Sequence, residues 1–110
     1  MKVPVSLSGR AEADLTNQYR WYLSQATIEV AERFLKAFDA RTALLSKFPE
    51  IGQSRRFRAA ELRGIRSLSV GDKFNDHLIF YSTRGGSVSI ERVMHGARDL
   101  ARRLLEPPKD

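Results

Sequence analysis

The first apolar positions, Val3, Val5 and Leu7 in "VPVSL", alternate with Pro4 and Ser6 and predict a short strand over Val3–Leu7 whose proline suits a strand start or an edge. Ser8 is then the expected helix cap. In "GRAEADLTNQYRWYLSQ" the apolar residues Ala11, Leu15, Tyr19, Tyr22 and Leu23 recur at helical spacing. They predict a first helix over about 9–24, with Glu12 and Asp14 near the positive end of its dipole. "SQAT" interrupts it, and Thr27 offers a second cap. Ala31, Phe34, Leu35, Phe38, Leu45 and Phe48 form one stripe of a second helix that ends at "FPEIG", where Pro49 and Gly52 punctuate the chain. So short a link between two helices predicts an antiparallel helical hairpin.

After a polar, arginine-rich loop the period changes from helical to two. "LRGIRSLSV" places Leu62, Leu68 and Val70 on one side of a strand with Arg66 among them, and "GDKFND" turns. "HLIFYS" is apolar on both faces, as a central strand covered on each side should be. "TRGGS" reads as a glycine-rich hairpin turn. "VSIERVMH" then sets Val88, Ile90, Arg92 and Met94 against Ser89, Glu91, Val93 and His95. A last helix uses Leu100, Leu104 and Leu105 and stops at "PPKD". The order β-α-α-β-β-β-α, without repeats or low-complexity tracts, gives a single α+β domain over 1–110. A chain of 110 residues suits one core.

Composition narrows the chemistry. A hydrophobic share of 42% with 29% charged residues belongs to a folded domain and argues against disorder. With no cysteine there is no disulfide, no thiolate nucleophile and no cysteine zinc site. No cofactor or metal is expected. No apolar run approaches the roughly 20 residues that span a bilayer, and "MKVPVSLSGRAEADL" lacks the apolar core of a signal peptide, so a cytoplasmic, soluble protein is expected. The net charge of +6 and the isoelectric point of about 10.2 favour an anionic partner. Residues 53–66 carry five arginines against Glu61, and residues 84–103 carry Arg84, Arg92, Arg98, Arg102 and Arg103 against Glu91 and Asp99. Most of the excess therefore lies in the second half.

His95 has two readings. In the structural one, "HGARD" is a strand-to-helix corner in which Gly96 caps the helix, Ala97 opens it and Asp99 accepts free backbone N–H groups. In the functional one, His95 is a general acid or base beside phosphate-holding arginines, which suits metal-free cleavage of RNA through its own ribose 2′-hydroxyl. Arg66 and Arg92 interrupt apolar strand faces and are the natural partners, or else they pair with an acid or reach the sheet edge. Arg55, Arg56 and Arg58 around Phe57 suit nucleic acid or an acidic partner. Trp21 and Tyr22 suit the core or a partner surface. Carboxylate pairs, HExxH, Walker and GxSxG motifs are lacking.

Five segments in order, "SGRAEADL", "AERFLKAF", "LLSKFPEIGQSRR", "HLIFYS" and "IERVMHGARDLARRLL", resemble toxins of the RelE/ParE superfamily of bacterial toxin–antitoxin modules, the ParE branch in particular. The resemblance covers nearly the whole chain. It implies a two-helix hairpin packed on a curved, mostly antiparallel sheet, and a small basic toxin silenced by a cognate antitoxin in a hetero-oligomer. ParE-like members act as binding inhibitors of DNA gyrase, whereas RelE-like members cut messenger RNA on the ribosome. RelE-type cleavage relies on basic side chains with a late aromatic or histidine, and here no aromatic residue follows Tyr81. The expectation is therefore gyrase inhibition, with Arg98, Arg102 and Arg103 meeting the target and Trp21, Arg55, Arg56 and Arg58 meeting the antitoxin. The alternative is an endoribonuclease using Arg66, Tyr81, Arg92 and His95.

Overall fold

The computed structural model describes residues 2–108. Strand β1 (Val5–Leu7) leads into helix α1 (Gly9–Gln25), capped by Ser8, whose hydroxyl accepts the Ala11 N–H and donates to the Glu91 carbonyl. Ala26 and Thr27 turn the chain into α2 (Ile28–Lys47), with the Thr27 hydroxyl accepting the Val30 N–H. Both caps fall where expected. The remaining elements are β2 (Gln53–Ser54), a 3₁₀ turn (Ala60–Leu62), β3 (Arg66–Ser69), β4 (His77–Arg84), β5 (Ser87–His95) and α3 (Leu100–Leu105). The five strands form one open sheet in the order β1-β5-β4-β3-β2, antiparallel throughout except for the β1–β5 pair.

The sheet is covered on both faces. Beneath the hairpin, Phe34, Phe38 and Leu45 pack on Ile79, Tyr81, Val88, Ile90 and Val93. Against the other face, Leu100 and Leu104 join Leu62 and Ile65 over Phe80 and Met94. This explains why β4 lacks a polar face.

Several local readings change. The stretch before β3 is not strand: Gly64, at φ +79°, ends the 3₁₀ turn, and Leu62 packs in the second core, away from Leu68 and Val70. The Arg-rich loop contributes the two-residue β2, whose partners are Ser67 and Arg66. Phe48 caps α2 and is exposed, not part of its stripe. The hairpin turn tightens to Gly85-Gly86, both at positive φ, as a two-residue turn matching strand twist requires. In β5 the alternation breaks. Phe80 pairs with Arg92 and Tyr81 with Ile90, so Glu91 is an extra residue and a β-bulge. Val88 and Ile90 face the hairpin, but Arg92 and Met94 face the second core with Phe80. Finally, α3 begins at Leu100; Gly96 takes φ +84°, and Asp99 stands at the cap position in the left-handed region with no side-chain cap bond. The corner is thus longer than the glycine-capped helix expected at Gly96.

Candidate functional site

The bulge brings a buried ion pair into being. β1 ends at Leu7, so the far half of β5 lacks a strand neighbour on that side and its backbone needs other partners. α1 supplies them from successive turns. Asp14 accepts the Val93 N–H at 2.9 Å, and the Gln18 side-chain amide donates to the Val93 carbonyl at 2.8 Å. The Asp14 carboxylate is also gripped by Arg92 through Nε at 2.8 Å and Nη2 at 3.0 Å. Arg92, only 5% exposed, sends Nη1 to the carbonyls of Arg103, Leu104 and Glu106 at the end of α3. Periodicity assigned Asp14 to the helix dipole and left Arg92 open; the pair joins residues 78 apart in sequence.

The same ladder continues to His77, which is buried. Gln18 donates through its amide, so its Oε1 faces His77 Nδ1 at 2.9 Å and assigns the proton to Nδ1; Nε2 then accepts from the Tyr22 hydroxyl at 2.8 Å. Burial first, and then the neighbouring His95, push the His77 pKa down to about 4, against a weaker opposing pull from Asp76. The unfolded chain takes up this proton near pH 6.5 and the folded chain only near 4. Stability is therefore complete above the upper value and is lost as pH falls between the two. The contribution is on the order of 3 kcal/mol. Urea titrations of the protein and of a His77→Gln variant should show this loss in the former alone, over the carboxylate titration common to both.

His95 ends β5, exposed, with its ring 4.6 Å from that of His77. The two rings, with Asn17, Gln18, Trp21 and Tyr22, line a shallow cleft of about 320 Å³. Trp21 is 58% exposed at its rim, which decides between its two readings in favour of surface. A larger cleft of about 620 Å³ opens on the sheet face away from the hairpin, with Arg10, Arg63 and Arg84 around Ser82, Ser87, Ser89 and Glu91.

The remaining arginines differ in freedom. Arg55 is half-buried, donating to Ser67 Oγ at 2.7 Å and lying over the Phe80 ring, so it braces the second core. Arg56 and Arg58 are exposed and form no ion pair among the described residues. Arg98 is likewise exposed. Arg102 pairs with Glu106 at 2.6 Å and Asp99 at 3.6 Å, and Arg103 donates to the carbonyls of His95 and Arg98. Arg98, Arg102 and Arg103 thus lie on α3 and its approach, with Arg102 shared between two carboxylates.

The set Arg66, Tyr81, Arg92 and His95 is not gathered. Tyr81 is fully buried; its hydroxyl accepts the Gly52 N–H at 2.8 Å, and burial raises its pKa. Arg66 lies beside it, donating to the carbonyls of Gly52 and Glu50. Arg92 points to the opposite sheet face, and His95 stands at the strand end. Among the described residues no cluster of three or more histidines and carboxylates is arranged to hold a metal ion, and no helix is long and apolar enough to cross a membrane.

The family model described as the ParE toxin of the type II toxin–antitoxin system parDE matches residues 5–100. Comparison with curated proteins gives no match. Among solved structures, the chromosomal ParDE system from P. aeruginosa is similar at a TM-score of 0.68 and 17% identity, covering 87% of this chain and 98% of the other; at that identity the likeness is one of fold. Two Staphylococcus aureus structures, the YoeB–YefM complex and the YoeB dimer, align at 16% identity over 88% of this chain and 100% of each, with TM-scores of 0.39 and 0.41. The chain belongs to the ParE toxin family of type II toxin–antitoxin systems.

Proposed function

We propose that this ParE-family toxin inhibits DNA gyrase by binding it, in the cytoplasm, until a cognate antitoxin covers it in a hetero-oligomer. The observation that carries this reading is the state of the groups cleavage would need. Tyr81 is sealed in the core and Arg92 is saturated by Asp14 and carbonyls, so neither reaches a scissile phosphate. A basic surface without assembled acid–base groups suits a binder. Arg98, Arg102 and Arg103 are the target contacts on this reading: Arg98 is exposed, Arg102 is exposed but shared with Glu106 and Asp99, Arg103 is half-buried, and such charges at a rim steer and orient an anionic surface, whether DNA or an acidic protein patch. Antitoxin contact falls on the hairpin at Trp21 and on the loop of Arg55, Arg56 and Arg58, where Arg56 and Arg58 are free to meet carboxylates.

Substitution at the histidine separates this reading from RNA cleavage. His95 is exposed and its removal leaves the core intact, so the His95→Ala variant should arrest growth as the parent does when induced alone. Joint Arg98→Ala and Arg102→Ala substitution should weaken the arrest, with inhibitory potency falling about tenfold or more. A folded His95→Ala variant that permits normal growth, while the double arginine variant stays fully toxic, points to catalysis and contradicts the proposal.

A further inference from the structure

We propose that Arg92, held by Asp14, is a positioning residue that fixes the basic helix α3 against the rest of the toxin. The role deepens the binding reading above and rests on it, because α3 and its approach carry Arg98, Arg102 and Arg103. Six residues are too few for a helix to persist alone in water, where about 12–15 are needed. Its geometry must come from docking. Leu100 and Leu104 supply an apolar footing in the second core, but an apolar footing leaves rotation and tilt soft. The directional contact is the guanidinium. Nη1 donates to the carbonyls of Arg103, Leu104 and Glu106 at the C-terminal end of α3, where Arg103 also accepts the Glu106 N–H, while Nε and Nη2 form a fork on Asp14 of α1.

One buried planar group therefore ties α1, β5 and α3 together. The bulge at Glu91 is what turns Arg92 to the α3 side. Other polar ties of α3 among the described residues lie at the surface: Arg10 to the Leu105 carbonyl, Arg103 to the carbonyls of Arg98 and His95, and Arg102 to Asp99 and Glu106. Lysine cannot replace this contact, since a single ammonium has no rigid fork with which to serve a carboxylate and a helix end together.

Hydrogen exchange on the whole chain reads the clamp directly. In the Arg92→Lys variant the amides of 103–106 should exchange at least tenfold faster than in the parent, with β4 amides unchanged, and growth arrest on induction should need correspondingly more protein. Should that variant fold poorly, joint Asp14→Leu and Arg92→Met substitution removes both charges and should give the same local loosening. Leu45→Ala, which weakens the core beneath the hairpin, should speed exchange across the sheet without singling out α3. Unchanged protection of α3 in the arginine variants, or a loosened α3 with undiminished arrest, overturns the proposal. If the parent arrests growth without touching gyrase, the target assignment fails, and exchange with arrest still decides the clamp.

Discussion

Replacing Asp14 by alanine should cost the protein about 3–5 kcal/mol, because it strands the Arg92 guanidinium inside the fold. The pair is 2.8 Å apart with both side chains almost wholly covered, and the carboxylate also serves the Val93 N–H. Removing it leaves Nε, Nη2 and that N–H without their acceptor beneath an almost wholly covered surface. Joint Asp14→Leu and Arg92→Met substitution should recover much of the loss, less the part due to the Val93 N–H, since replacing a buried pair by apolar residues of similar volume is often neutral. Thermal unfolding followed by circular dichroism distinguishes these. The single variant should melt roughly 15 °C or more below the parent, and the double variant much closer to it. Equal melting of single variant and parent would show that the pair is dispensable to the fold.

Phe34→Ala should be comparably damaging, at about 3–5 kcal/mol. Phe34 is fully buried where the two helices meet β4, and its ring packs at 5.4 Å from Tyr22, 5.4 Å from Phe74 and 4.7 Å from His77. Truncation opens a cavity beside Tyr22 and His77, which are held in place by hydrogen bonds to one another and from His77 to Gln18, so collapse is limited. Trp21→Ala, on the same helix pair but at the surface, should change stability by no more than about 0.5 kcal/mol. Urea midpoints measured side by side test the contrast, and a Trp21 variant as unstable as the Phe34 variant would place the indole in the core.

The elements with strong periods are legible in the sequence. Ser8 and Thr27 announce both helices, and the doubly apolar "HLIFYS" announces a strand covered on each side. What periodicity could not show depends on distant partners. Asp14 looks like any acid near the start of a helix until β1 stops short and leaves Val93 in need of an acceptor. Arg92 appears to share a side with Ile90, because nothing in "IERVM" marks Glu91 as the residue a bulge would skip. Phe48 fits the stripe of α2 by spacing, yet the helix ends one residue earlier and turns it outward. Phe74, inside a stretch rich in turn residues, packs against Tyr22 and Phe34. His77 carried no signal beyond its strand position. The site suffers more than the fold from this, since its residues are joined by contacts between elements rather than by spacing within them.

Inhibition by binding is tested most directly by titrating the purified chain into two reactions, DNA supercoiling by gyrase and translation of a reporter in a cell-free extract. Supercoiling should fall in proportion to the chain added, recede as salt screens the arginines, and leave translation and its messenger intact. Messenger cleavage in the extract with supercoiling untouched would contradict the account.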